Sequence, residues 1–324
     1  MEQQNSSGDW QQLAEAFHEI ERNIERVVQG KHREIRLALV SLIAEGHLLI
    51  EDVPGVGKTM LAKALARSID CSFRRIQFTP DLLPTDVTGV NVFNQERGDF
   101  EFKPGAIFAN IVLGDEINRA SPKTQSALLE SMEERQVTVD TETYQLGTPF
   151  IVIATQNPVE HEGTYPLPEA QLDRFMMRIA IGYPDPDVEA EILATHGIAS
   201  TLEDISSVTD APGVAEMILQ ARQVHVAPAV RRYIVDLVDA SRKHADVYLG
   251  ASPRASIMLL RSARAYAAAD ARDFVTPDDV KALAKPVLSH RVIVTADAVM
   301  SGRSVDAVLN ELLHEVAVPV SGKT

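Results

Sequence analysis

The chain has a single cysteine, Cys71, in 324 residues. A lone thiol cannot close an intrachain disulfide and supplies no cysteine cluster for zinc. Cys71 follows a helical stretch and leads into a strand, which predicts a buried structural thiol rather than a reactive one. Long apolar runs are missing as well, since no stretch approaches the ~20 residues needed to cross a bilayer. The first ten residues, Met1 to Trp10, contain neither a basic segment nor an apolar leader core, so a cytoplasmic protein that is not integral to a membrane is expected. Positive charge is scarce: 31 Lys and Arg face 46 Asp and Glu, a net charge of -15. This balance repels a nucleic-acid backbone unless a local patch overrides it, and Arg74-Arg75, Arg231-Arg232 and Arg242-Lys243 are pairs rather than stripes. No direct contact with nucleic acid is expected.

What is present is the composition of a folded protein, 45% hydrophobic and 24% charged, with a length that predicts two domains. Residues 1–12 read as a polar tail. From 13 to 184 short apolar runs alternate with helical patterns. The runs are His47–Ile50, Phe73–Phe78, Ile111–Leu113, Phe150–Ala154 and Met177–Ile181, and the helical patterns include 31–44, Met60–Ile69 and Ser121–Glu134. This alternation predicts a parallel α/β sheet with ligands at the carboxyl ends of its strands. Val87 to Phe102 breaks the pattern and reads as an inserted β-hairpin around Gln95-Glu96-Arg97-Gly98-Asp99, either a protruding device or an extra edge pair. After Tyr183-Pro184-Asp185-Pro186 the patterns become helical, so residues 185–324 are expected to form an all-helical second domain. One of its helices starts on Thr276-Pro277-Asp278-Asp279, a cap residue followed by proline and acids.

The chemistry is concentrated at three strand ends. After the first strand comes Pro54-Gly55-Val56-Gly57-Lys58-Thr59-Met60, a glycine-containing turn that opens a helix. Backbone N–H groups in such a context surround phosphate oxygens. Lys58 is expected to reach the β- and γ-phosphates, and the Thr59 hydroxyl to coordinate Mg²⁺. The strict phosphate-loop pattern asks for glycine where Asp52 stands, so Asp52 is expected to point away or form a local cap. The second strand end is Asp115-Glu116, with Asp115 for Mg²⁺ and Glu116 to polarise the attacking water. The third is Thr155-Gln156-Asn157-Pro158, where the Asn157 amide can orient that water or the γ-phosphate. The histidines show no metal-ligand spacing, so the magnesium that accompanies ATP is the one cofactor metal expected.

Together these segments resemble the MoxR family of AAA+ ATPases. The resemblance covers almost the whole chain after the first dozen residues. It rests on Leu49–Thr59, Glu101–Asn110, Asp115–Ala120, Lys123–Glu130 and Tyr165–Phe175 matching in order. It implies an AAA+ P-loop NTPase core followed by a helical lid. Within that core Lys58 and Thr59 would lie in Walker A, Asp115 and Glu116 in Walker B, and Asn157 would be sensor 1. It further implies that Arg174 is an arginine finger inserted into a neighbouring subunit's ATP site, and that Arg254, in Gly250-Ala251-Ser252-Pro253-Arg254, is a sensor 2 that contacts the γ-phosphate. The implied cofactors are ATP and Mg²⁺, and the implied assembly is a hexameric ring acting as a chaperone-like remodeller, with von Willebrand factor A domain proteins as a partner class. The alternatives are the motor subunit of a metal chelatase, a nucleotide-controlled scaffold with little turnover and, disfavoured by the charge, a DNA-remodelling motor.

Overall fold

The structure is a computed structural model that describes residues 3–158, 163–196, 202–203 and 205–319. The outermost residues of the expected tail and lid, 1–2 and 320–324, lie outside the described residues. Two helices, α1 (Gln3–Glu25) and α2 (His32–Ile43), precede the first strand, β1 (Leu48–Glu51), and α1 begins within the stretch read as a polar tail. The chain continues through α3 (Lys58–Ile69), β2 (Phe73–Gln77), α4 (Pro84–Thr88), β3 (Gly89–Asn94), β4 (Asp99–Pro104) and β5 (Ile111–Asp115). Next come α5 (Pro122–Glu134), β6 (Gln136–Val139), β7 (Glu142–Gln145), β8 (Ile151–Gln156), α6 (Glu169–Leu172) and β9 (Met177–Ile179).

Five of these strands form the central sheet in the order β2-β5-β8-β1-β9, parallel throughout. Alternate side chains of a strand enter opposite layers, and the three central strands β5, β8 and β1 are buried on both faces, whereas the edge strand β2 leaves Arg74, Arg75 and Gln77 exposed. Leu48 and Ile50 join Leu113, Ile153 and helices α1 to α3 on one face, whereas Leu49 joins Val112, Val152, Leu128 and Leu129 on the other. Because all five strands run the same way, the segments that follow β1, β5 and β8 emerge at one edge of the sheet.

Beyond Tyr183 the chain is mostly helical: α7 (Pro186–His196), α8 (Ala211–Gln223), α9 (Pro228–Lys243), α10 (Pro253–Ala269), α11 (Pro277–Leu288), α12 (Ala296–Met300) and α13 (Val305–Glu315). The expected all-helical lid also carries a short antiparallel pair, β10 (Val247–Leu249) with β11 (Ile293–Val294). The cap read at Thr276 is a capping box, in which Asp279 accepts the Thr276 N–H at 2.7 Å and Thr276 Oγ1 accepts the Asp279 N–H at 3.4 Å. Helix α10 packs on α1 and α2 as well as on its lid neighbours, so one apolar cluster runs from the sheet into the lid. No described helix is long and apolar enough to cross a membrane.

The inserted hairpin, β3 with β4, is a two-stranded sheet of its own and is not paired to the edge of the central sheet. Phe93 and Phe100 near its tip are 51% and 72% exposed and meet edge to face at 5.4 Å. At its base Phe102 stacks on Tyr144 of β7 at 3.9 Å. Strands β6 and β7 form a second hairpin that the sequence did not announce. Their residues, Gln136-Val137-Thr138-Val139 and Glu142-Thr143-Tyr144-Gln145, are largely polar and contain no glycine at the turn. Asp140 adopts φ +54° there instead.

One buried group ties the sheet to α5 and makes stability depend on pH. His47 Nδ1 accepts the Val152 N–H at 2.9 Å, which leaves Nε2–H to donate to the Met132 carbonyl at 3.0 Å. Burial holds the His47 pKa down to about 4 from an ordinary 6.5, with Arg135 acting the same way and the Met132 carbonyl opposing. Above pH 6.5 both folded and unfolded states carry a neutral ring. Between 6.5 and 4 the unfolded chain binds a proton that the native chain refuses, so this group's stabilisation is lost as pH falls. The loss is about 3 kcal/mol by pH 4. Urea unfolding at pH 7.5 and pH 4.5 checks this: His47→Gln is expected to show a smaller drop between the two than the parent chain.

Candidate functional site

The loop between β1 and α3 is shaped by two residues in left-handed backbone. Gly55 has φ +86° and Gly57, the residue capping α3, has φ +93°. A Cβ at either position would meet no protein atom within 4 Å, so glycine is needed for the backbone and for the approach of a ligand, not for packing. The first turn of α3 then presents Lys58, Thr59 and Met60 at a helix N-terminus, where backbone N–H groups point out along the axis. Lys58 Nζ donates to the carbonyl of Asp52 at 2.7 Å, spanning the loop from one end to the other.

Asp52 forms a local cap, one of the two outcomes expected for it. Its Oδ1 accepts the Val53 N–H at 2.8 Å and its Oδ2 accepts the Gly182 N–H at 2.6 Å, the latter from the segment after β9. Its own N–H bonds the Gln156 carbonyl at 3.1 Å. The carboxylate is therefore occupied by backbone donors, tying the loop's base to the segment after β9, while the Asp52 N–H ties it to β8.

Asp115 and Glu116 stand at the end of β5, two strands away from β1 across β8. Thr155 of β8 binds both: its hydroxyl donates to Asp115 Oδ1 at 2.6 Å and accepts the Glu116 N–H at 2.9 Å. From the other side, β2 supplies Arg75 to Asp115 Oδ2 at 2.6 Å and Gln77 to Glu116 Oε2 at 2.8 Å. Arg119 also pairs with Glu116 Oε2, at 3.1 Å. Glu116 is held at φ +59°, a conformation that costs a non-glycine residue on the order of 1 kcal/mol or more. Its N–H and its carboxylate are both held by these neighbours. Asn157, buried, directly follows β8 and so lies beside the base of the phosphate loop.

These positions fit nucleotide-borne magnesium. A threonine hydroxyl and a carboxylate are hard oxygen donors, and Mg²⁺ commonly takes one or two protein oxygens and completes its shell with phosphate and water. Among the described residues no group of three His, Cys, Asp or Glu is placed to hold a metal by itself. Cys71 takes no part. Burial, and then Asp70, push its thiol up to about 12, so it stays protonated.

The two arginines singled out by resemblance are brought together, at the opposite edge of the sheet. Arg174 pairs with Glu133 at 3.2 Å, and Arg254, in the first turn of α10, pairs with the other oxygen of the same carboxylate. They line a cavity of about 250 Å³ together with Arg135 and Arg261. Glu133 follows Met132, whose carbonyl binds His47, and Met176 N–H donates to the His47 carbonyl at 2.8 Å. His47 precedes β1, so this cluster sits at the amino end of the strand whose carboxyl end carries the phosphate loop. Four strand residues separate the two ends by about 13 Å. Arg254 therefore stands at the amino end of β1, away from its own chain's Pro54–Met60 loop.

Thr155, Arg75 and Gln77 were not singled out from the sequence. A signal for the last two existed: residues 75 and 77 are polar at i and i+2 and so share one face of the strand.

Comparison with known proteins places this geometry. Residues 47–177 match the model of the ATPase family associated with various cellular activities (AAA), and residues 239–312 match the AAA lid domain. The chain is 50% identical to the protein YeaC of Bacillus subtilis over 92% of its own length and 93% of that protein. It is 42% identical to the chaperone MoxR1 of Mycobacterium tuberculosis, with 95% of this chain and 84% of the relative covered. A Cytophaga hutchinsonii protein solved by crystallography and named for an inferred ATPase activity superposes with a TM-score of 0.92 at 39% identity. The match covers 99% of this chain and all of that one.

Proposed function

The chain belongs to the MoxR family of AAA+ ATPases, and we propose that it hydrolyses ATP at sites completed between neighbouring copies of itself and uses the cycle to remodel protein partners. In this reading the N–H groups from Gly55 to Met60 and the Lys58 ammonium hold the phosphates. Glu116 takes the proton of the attacking water, and Asn157 orients that water against the γ-phosphate. Thr59 and Asp115 would hold Mg²⁺, which supplies charge neutralisation on the phosphate oxygens. Arg174 and Arg254 leave Glu133 and neutralise charge on the phosphoryl group bound by the adjacent subunit.

The single observation that carries this is the split of the machinery. The phosphate loop, Asp115-Glu116 and Asn157 share one sheet edge, while Arg174 and Arg254 share one carboxylate at the other. A closed ring lets every subunit lend its arginine edge to the next subunit's phosphate edge, and the family supports six members. The exposed Phe93 and Phe100 on a separate hairpin are suited to grip an apolar segment of a client. Remodelling as the output draws support from the relative named a chaperone. Von Willebrand factor A domain proteins are the partner class, ATP and Mg²⁺ the cofactors, and the cytoplasm the place of action.

The experiment is turnover per subunit against protein concentration at saturating Mg·ATP, alongside sizing under the same conditions. Specific activity is expected to rise with assembly and to level off when the ring is complete. Constant specific activity down to concentrations at which only monomer remains would remove the shared site.

A further inference from the structure

The turn that delivers Arg174 into β9 is held by residues that no step above uses. Arg291 lies between α11 and β11, with a side chain only 1% exposed. Its guanidinium donates to Asp173 Oδ1 at 2.6 Å, to the Asp173 carbonyl at 2.9 Å and to the Met176 carbonyl at 3.2 Å. It also donates to the carbonyls of Phe175 and Val287. The remaining carboxylate oxygen of Asp173 accepts from the Ser252 hydroxyl at 2.9 Å. Ser252 stands at the N-cap position of α10, two residues before Arg254.

Asp173 therefore joins three things: the turn that carries Arg174, the start of the helix that carries Arg254, and a buried cation from the end of the lid helix that packs on β9. A buried ion pair of this kind is poor evidence for stability, because well-packed apolar residues often serve as well. What a planar fork of five donors adds is position, since it fixes several carbonyls of an irregular turn at once. Burial lowers the Arg291 pKa to about 10, with Asp173 opposing, so the group stays charged at neutral pH.

We propose that Arg291 is a positioning residue for the arginines donated in trans: from the lid it holds the 173–176 turn so that Arg174 and Arg254 are presented as one unit. Movement of the lid against β9 then withdraws both from the neighbour's phosphate together. This rests on the shared-site reading above.

The test uses the full chain with Arg291→Lys, which keeps the charge without the fork, and Arg291→Met, which keeps the bulk. Both are expected to bind ATP with unchanged affinity and to lose about 100-fold in kcat, the scale of loss from a displaced catalytic group. Mixing either with the Glu116→Gln chain is expected to restore turnover. The Glu116→Gln subunit still lends a correctly held Arg174, and the Arg291 variant still offers an intact Glu116. Arg174→Ala mixed with Glu116→Gln is the control for the shared site. If that control is rescued while the Arg291 variants keep parental kcat, the positioning role is overturned. It is likewise overturned if the variants lose ATP binding or show no recovery on mixing, which mark a merely structural residue. Should the control itself fail to recover, the shared site falls and this inference falls with it. Arg291→Lys keeps the test informative if Arg291→Met does not fold.

Discussion

Arg174→Ala is expected to lower kcat by about 10³- to 10⁵-fold, the range associated with an arginine supplied to a transferring phosphoryl group, while ATP affinity stays close to that of the parent. The asymmetry follows from where Arg174 sits. It makes no part of its own chain's phosphate loop and meets Glu133 instead, at the other end of β1. Its removal costs little folding stability, because a half-exposed ion pair is worth about 0–1 kcal/mol, and Arg254 remains to hold Glu133. Steady-state turnover of assembled protein, with ATP binding measured on the same sample, checks the split between kcat and affinity. A variant that hydrolyses at the parental rate rules out the finger; one that loses ATP binding instead places Arg174 at its own nucleotide.

Glu116→Gln is expected to bind ATP normally and to turn it over about 10²- to 10⁴-fold more slowly, the loss that follows removal of a general base. The amide occupies the same volume, and the backbone that aims it is held independently by the Thr155 hydroxyl at 2.9 Å. Gln77 and Arg119 approach the carboxylate from β2 and from the turn beyond it, so the variant tests proton transfer with little change in architecture. Single-turnover hydrolysis in a verified pure preparation is the measurement, and an unchanged rate would remove Glu116 from the chemistry. The same variant under ATP is the reagent for capturing partners, because an ATPase that binds without turnover retains what it engages.

Much of this site was legible before any fold was known. The loop from Pro54 to Met60 announces itself through two glycines and a lysine at the mouth of a helix. Asp115-Glu116 and Asn157 are visible because each terminates a short apolar run, and in a parallel sheet such ends converge. Short apolar runs also made the five sheet strands readable. The β6–β7 hairpin escaped because its strands are polar and its turn relies on Asp140 in place of glycine, so neither hydrophobic pattern nor turn chemistry marks it. Thr155 escaped for another reason: a threonine in a β-run is ordinary, and its two bonds to neighbouring acids depend on the register of β5 against β8.

Asp52 shows the boundary most clearly. From the sequence it is an acid where glycine is usual, required only to avoid the phosphates. The partner that explains it, the Gly182 N–H, lies 130 residues further along and comes near only because β9 pairs with β1. The arginines divide the same way. That Arg174 and Arg254 carry charge useful to phosphate chemistry is a property of their side chains and local motifs, and so are the pattern of the Pro54–Met60 loop and the paired acids at the end of β5. That both arginines converge on Glu133, far from their own loop and under the hold of Arg291, is a matter of which strand ends face which way. Local backbone preference and side-chain chemistry act over a few residues and can be read in order along the chain. Strand order and the docking of the lid bring together groups more than a hundred residues apart, and those were decided by tertiary packing alone.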